Sequence, residues 1–383
     1  MIPAAPTNSP TAVVIGAGPA GSMAAFLLAR RGIDTLLVER ARFPRPKVCG
    51  GCLAQSGYRM LESVGLHTIP ALANTGRVQA LKLTGAGKEL TLNVPPYRVV
   101  DRAAFDRQLA DRAVGAGAAI VDETTARVLP GGRVELQTHG GPARTLEPRV
   151  VIVADGLKGA SLRDHPGFAW RVAPSAHVGI GAIAGHRPAS CQAGAISMHH
   201  APYGYMGLAP LDGGRAIIAA AVSPRWISDH SDSPPLIALA RSLGVDLDPG
   251  IPLTGTRGAP ALTRARERIE AGGRVFLIGD ATGYVEPFTG EGMSWSLEDA
   301  VRVASHARAA IDNRYTVGSW TCQHTRSNRR RRCLCHATAR LLRRPRLAAG
   351  AMSICARRPA CAVALQSMIR TLQHGRPPGI EGA

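Results

Sequence analysis

The segment Lys47-Val48-Cys49-Gly50-Gly51-Cys52-Leu53 sets two cysteines around two glycines. A Cys-x-x-Cys pair of this kind can be half a metal site, a redox dithiol, or a backbone turn whose glycines let it press against a cofactor. Upstream stands Gly16-Ala17-Gly18-Pro19-Ala20-Gly21, a loop of the GxGxxG type. In such a loop Gly16 permits the tight turn, Gly18 lets the backbone approach a pyrophosphate, and Gly21 lets helix and strand pack closely; Pro19 and Ala20 complete the cofactor-binding set. Glu39, which follows the next apolar run, is spaced to accept hydrogen bonds from both hydroxyls of an adenosine ribose. Its charge would repel a 2′-phosphate, which disfavours NADP in this loop.

A lone glycine loop is a weak signal in a chain with 43 Gly, so the elements around it carry the weight. Residues 11–15 form a β-branched apolar run, short enough for a buried parallel strand, and residues 22–31 read as a helix rich in small residues. Residues 35–38 give a second buried strand that ends at Glu39 and Arg40. Strand, glycine loop, helix, strand and acid thus fall in the order that dinucleotide binding needs. Further on, residues 102–116 read as a helix beginning at Arg102, and Arg149-Val-Val-Ile-Val-Ala-Asp-Gly is another buried strand ending in Asp155 and Gly156. The middle of the chain, about 176–222, changes to Gly-punctuated strands and reads as a sheet-rich insertion, with a hairpin at 78–95 as its earlier piece. Residues 274–278 bring back a buried strand that ends in Gly279-Asp280. The turn Gly290-Glu291-Gly292 then opens a helix at Met293, whose free N–H groups and positive dipole end suit an anionic ring.

Three separated signals therefore agree: the glycine loop with Glu39, Val-Ala-Asp-Gly at 153–156, and Gly-Asp-Ala at 279–281. Together they resemble the flavoproteins with the p-hydroxybenzoate-hydroxylase-like fold, in which one FAD lies extended across a discontinuous nucleotide domain. KVCGGCL, AFDRQLADRA, PYGYMGLAPLDG and PFTGEGM, all present in order, narrow the resemblance to the geranylgeranyl-reductase-like family, including its polyketide-associated branch. It covers about residues 11–310. The resemblance implies an α/β fold: a Rossmann-like FAD-binding domain at 11–75, 98–165 and 266–315, an inserted sheet-rich substrate domain at 76–97 and 166–265, and a helical basic segment at 316–383 after a disordered start at 1–10. It also implies that Asp280 serves the ribitol region, that KVCGGCL runs past the isoalloxazine ring with Gly50 and Gly51 allowing close approach, and that Cys49 faces the substrate. Cys52 and Met206 depart from the family pattern at positions that should face the flavin or a lipid tunnel. The tryptophan-bracketed segment of flavin halogenases is absent.

The activity so implied is FAD-dependent oxidoreduction of a lipophilic small molecule. Either hydride passes from reduced flavin to a C=C bond of an isoprenoid or polyketide lipid, or reduced flavin captures oxygen and hydroxylates an aromatic or polyketide lipid. NAD(P)H is the transient donor, because no second glycine loop exists to hold a nicotinamide nucleotide permanently. Cys49 and Tyr205 lead the catalytic candidates, with His199, His200 and Tyr203 as further substrate-side groups, and Arg102 is expected at cofactor or substrate.

The charge of +19 is concentrated: residues 301–383 hold sixteen Arg against two acids, Asp312 and Glu381. A nearly neutral body with a basic tail favours anionic partners. Arg pairs alternating with apolar patches suit an anionic membrane surface. Non-catalytic nucleic-acid binding ranks low, because aromatics are only 4% and none interleave with the arginines between Ser327 and Ala383. Cys322, His324, Cys333, Cys335 and His336 offer zinc-ligand types, but Cys-x-Cys and Cys-x-His are unusual spacings beside four consecutive arginines, and no metal is assigned. No apolar run reaches the roughly 18 residues that span a bilayer, and the first residues lack a signal-peptide pattern. The expectation is a cytoplasmic enzyme, with peripheral contact at the inner face of the membrane through the tail.

Overall fold

A computed structural model of the chain describes residues 9–373 apart from Asn74, His139, Pro287 and Thr289. Most of the expected disordered start, the last residues of the basic segment and two residues of PFTGEGM lie outside those described. The first apolar runs become strands Ala12–Ile15 and Thr35–Val38, each buried along its whole length. They pair in parallel with each other and, through Val150–Val153 and Ala119–Val121, with their neighbours; Val275–Leu277 follows beyond Val150–Val153. Strands covered on both faces need apolar side chains at every position, which is why these segments read as continuous rather than alternating. Glu270–Ala271 closes one edge antiparallel.

The register decides the function of this sheet. Ile15 pairs with Val153 and Val38, Val153 with Leu277, and Val38 with Val121, so the carboxyl ends of all five parallel strands align. The residues that leave them, Gly16, Glu39, Ala154 and Ile278, are tied to the last carbonyls of neighbouring strands at 2.7 to 3.0 Å. Motifs far apart in sequence therefore share one crevice, the place where open α/β sheets bind ligands.

The second large sheet has eight strands, in the order Leu253–Ala261, Val178–Ala184, Ala216–Val222, Gly204–Pro210, Ala195–Ala201, Arg77–Gly85, Lys88–Val99 and Cys52–Leu53. Parallel pairing of Arg77–Gly85 with Ala195–Ala201 joins the early hairpin to the later strands. One face meets the nucleotide crevice; the other packs on helices Pro224–Asp229 and Pro235–Ser242 through Met206, Leu208, Ile218, Trp226 and Leu239. Met206 is thus fully buried on the face away from the crevice, contrary to the orientation expected from the resemblance. Side chains alternate along a strand, and Tyr205 and Gly207 take the inward positions instead.

The tail forms helices Ser319–Leu342, Pro345–Arg357 and Pro359–Gln373. The first lies on helix Gly292–Ile311, and the other two cover the strand Lys88–Val99. Trp320 is fully buried and its indole N–H donates to the Leu277 carbonyl at 3.0 Å. Arg331 is 6% exposed, so the four-arginine run is not uniformly solvated: one member turns inward to a carboxylate. Cys322 and Cys333 are exposed, Cys335 is buried, and His324 faces Asp299 at 3.3 Å. The zinc-ligand types therefore leave the helix in different directions. Among the described residues no helix is long and apolar enough to cross a membrane.

Candidate active site

At the glycine loop the backbone itself shapes the site. Gly16 has φ +100°, and a side chain there would come within 2.5 Å of the Ala154 carbonyl; a methyl on Gly21 would overlap the Gly16 carbonyl oxygen. Gly18 precedes helix Pro19–Ala29, whose N-terminus has no side-chain cap. Glu39 accepts from the Ala17 N–H at 3.0 Å and the Ala41 N–H at 3.1 Å, which aims its carboxylate beneath the loop. Arg45 donates to Glu39 at 3.0 Å and to Asp106 at 3.0 Å, and Arg102 holds the same aspartate by a fork at 2.8 and 2.9 Å. Arg45 and Asp106 were not singled out in the sequence. The only hint was their place beside two recognised motifs.

Where the loop gives way to the KVCGGCL turn, Cys49 accepts from the Gly51 N–H at 3.4 Å and sits beside the Arg102 guanidinium. The Cys52 thiol donates to the Gly50 carbonyl at 3.2 Å. Burial, followed by the neighbouring Cys49, pushes the Cys52 thiol far up. The helix start at Gln55 does not offset that burial, so Cys52 is held as a thiol. Both cysteines are free thiols. Burial also lowers Lys47 to about 8, helped by Arg45 and Arg102, and raises Asp280 to about 6 against the pull of Arg102 and Lys47. Asp155 is likewise raised by burial; the Ser161 N–H donates to one of its oxygens at 2.9 Å, and the other has no partner among the described residues. Behind Asp280, the Gly279 N–H donates to Asp299 at 3.2 Å. Burial opposes ionisation of Asp299, yet His324, Arg302 and that N–H together hold it below the usual carboxylate range.

One cavity of about 310 Å³ connects these groups. Of the residues named from the sequence, it is lined by Gly16, Gly18, Pro19, Ala20, Glu39, Arg40, Cys49, Gly50, Cys52, Arg102, Asp155, Gly156, Tyr205, Asp280, Gly290, Gly292 and Met293. Gly21, Gly51 and Gly279 stand behind the wall. Gly51, at φ +68°, packs against Ile217 and Val100, and Gly279 against Ser296 and Ala20. The other end of the cavity is the inward face of the large sheet, where Gly207, Ala209, Ala219 and Ala221 leave room and Met198, Ile196 and Phe288 make it apolar. Tyr205 meets Phe288 edge-on at 5.1 Å, and burial, then Glu286, raises its phenol well above the usual value. Tyr284, not anticipated, joins it on the wall with a phenol raised by burial and then by Asp280. His199, His200 and Tyr203 do not line this cavity. His200 points to Met352, at 3.5 Å, and Tyr203 stacks on Trp226 and donates to Ser242.

Asp280 provides a first test of this electrostatic picture. Its folded value lies above the ordinary 3.8, so the unfolded chain ionises it first and the folded protein loses stability as pH rises from 3.8 to about 6. Asp280→Asn is therefore expected to gain stability relative to the parent over that interval, read by denaturant unfolding of both proteins across pH. Parallel curves would show that the carboxyl is not held back by burial.

Comparison with known proteins places this geometry in context. The family described as FAD binding domain matches residues 9–314. Digeranylgeranylglycerophospholipid reductase 2 of Methanopyrus kandleri is 30% identical over 333 residues, covering 80% of this chain and 79% of that protein. The crystal structure of a geranylgeranyl bacteriochlorophyll reductase-like protein from Thermoplasma acidophilum superposes with a TM-score of 0.73 at 18% identity, covering 98% of this chain and 94% of that one. A triple mutant of a flavin-dependent brominase gives 0.79 at 16%, covering 96% and 95%; at such identity the likeness speaks to the fold alone.

Proposed function

We propose, from the premise that this chain belongs to the FAD-binding family of geranylgeranyl-reductase-like oxidoreductases, that it reduces a C=C bond of an isoprenoid or polyketide lipid with NAD(P)H as donor. The observation that carries this reading is the continuity of one cavity from the Gly16–Glu39 loop to an apolar wall of Gly, Ala, Ile and Met side chains. The site suits FAD on three counts: the loop has no room for side chains at Gly16 or Gly21, a buried Asp155 oxygen lacks a partner among the described residues, and two helix N-termini, at Pro19 and Gly292, open on the cavity without side-chain caps among those residues. When bound, FAD supplies hydride transfer between the nicotinamide donor and the double bond.

In this reading Gly16, Gly18, Pro19, Ala20, Glu39 and Arg40 hold the ADP half, with Gly21 keeping helix and loop together. Asp155, Gly156 and Asp280, on its Gly279 turn, hold the middle, and Arg102 with Lys47 counters the negative charge there. Gly290, Gly292 and Met293 present the helix start to the ring system, and Cys49, Gly50 and Gly51 form the turn that passes it. The apolar wall excludes water and orients a hydrocarbon substrate. Tyr205 stays un-ionised because of its burial and is the group we assign to protonate the carbon next to the reduced position; Cys49 lines the same cavity. The outward faces of the tail helices, with exposed Leu347, Ile354 and Val363 among arginines, fit contact with an anionic membrane that stores such substrates.

The test is an anaerobic titration of the purified flavoprotein with NADH and with NADPH, followed by addition of a polyprenyl lipid. Bleaching of the flavin by either donor and return of its absorbance on adding the lipid, with a product two hydrogens heavier, is the expected result. Return only after oxygen is admitted, with a hydroxylated product, would replace the reductase reading by a monooxygenase.

A further inference from the structure

Between the tail and the large sheet lies a second space, of about 120 Å³. Its floor is four leucines on the paired strands Arg77–Gly85 and Lys88–Val99, where Leu81 faces Leu92 and Leu83 faces Leu90. Its roof comes from the tail helices through Met352, Leu365 and Ile369. None of the described residues lining it is Asp, Glu, Lys or Arg; the polar groups are His200, Thr338 and the cysteines Cys335 and Cys355. Burial disfavours the charged form of His200 and raises both thiols, so the lining carries no charge. The chamber is partly open, since Leu341 is exposed and Cys355 half-buried along its lining, and a contiguous apolar surface left within reach of water marks a site for an apolar ligand. A chamber of this size, roofed by a segment beyond the matched family region, is out of place as mere packing.

Two residues, Leu81 and Phe288, line both this chamber and the main cavity. Phe288 stands between them, its ring edge against Tyr205. We infer that the chamber receives the far end of the substrate's hydrocarbon chain, threaded past Phe288 while the reacting end stays in the main cavity, and that the tail thereby sets the chain length accepted. This rests on the lipid-reductase reading above and names the part of the substrate recognised. It follows that the tail helices face lipid on their inner side as well as arginines on their outer side. Short chains fill the main cavity only; long ones need both spaces.

The native cysteines report on each space separately. Cys49 lines the main cavity, Cys355 the chamber, and Cys322 and Cys333 are exposed. The FAD-loaded protein is alkylated with N-ethylmaleimide with and without geranylgeraniol or the short prenol, and each site is followed by mass spectrometry. With geranylgeraniol at about ten times its Kd, alkylation of Cys49 and of Cys355 should each slow about tenfold, since reactivity follows the unoccupied fraction; Cys322 and Cys333 should not change. Prenol should protect Cys49 alone. In Ala351→Phe, which fills the chamber, protection of Cys355 by geranylgeraniol should vanish while protection of Cys49 by prenol persists. Protection of Cys49 but not Cys355 by the long chain in the unaltered protein would overturn the chamber and leave the lipid-reductase reading intact. Protection of neither would overturn both.

Discussion

Glu298→Gln is expected to destabilise the protein by about 3–5 kcal/mol, the usual cost of leaving buried charges without their partner. Glu298 is fully buried and accepts from Arg331 at 2.8 and 3.0 Å and from Arg302 at 3.1 Å. Arg331 comes from the tail helix and also lies over the Trp295 ring at 5.6 Å. Glutamine keeps the volume but removes the negative charge and turns one acceptor oxygen into an N–H donor, so Arg331 loses its buried counter-charge and Arg302 keeps only Asp299, at 3.9 Å. Denaturant unfolding measures the loss. The comparison is Asp111→Asn, which breaks the exposed pair with Arg107 and should cost less than about 1 kcal/mol. Equal losses would mean that the tail is not fastened through this carboxylate. The same fastening bears on the active site, because His324 on the tail helix pins Asp299, which holds the Gly279 turn that carries Asp280.

Gly21→Ala should lower affinity for FAD by more than about 100-fold and also destabilise the apoprotein. A methyl there meets the Gly16 carbonyl, a backbone atom that cannot rotate away. Overpacking of this kind costs about 1–3 kcal/mol in the protein alone, and the relief it forces is a shift of the loop that we propose holds the pyrophosphate. Gly18→Ala separates the two effects. Gly18 has an ordinary φ of −80°, and a side chain there would have only an Arg45 nitrogen nearby, at 4.0 Å. That variant should keep apoprotein stability and still lose FAD affinity, since its methyl would occupy the space we propose for the pyrophosphate. Flavin fluorescence titration and thermal unfolding of both apoproteins decide the matter; unchanged flavin affinity in both would remove the phosphate role from the loop.

Much of this site was legible before any coordinates. The glycine loop, Glu39, Asp155 and Asp280 announce themselves because each ends a short, wholly apolar run, and buried parallel strands must read that way. The tail was not legible in the same manner. Its arginines read as solvated or membrane-facing on composition, since nothing in the run at 329–332 marks Arg331 as the one whose helical position meets Glu298. His199 and His200 are named from the sequence among the candidate substrate-side groups. Strand alternation turns His199 away from the face that carries Ile196 and Met198, and His200, on that face, is taken up by Met352 of the tail.

What this sequence determined by itself is local: which runs become strands, where the turns need glycine, and which acids leave the strand ends. Those features depend on neighbours a few residues away, through backbone sterics and burial on both faces. What only the tertiary structure decided is convergence. The aligned carboxyl ends of five strands bring Gly16, Glu39, Ala154 and Ile278 to one crevice, Arg45 finds Asp106, and the tail roofs four leucines to enclose a second apolar space. These contacts join residues distant along the chain, and their energies come from burial, packing and, for Arg45 with Asp106, charge pairing away from water, which no short stretch of sequence records.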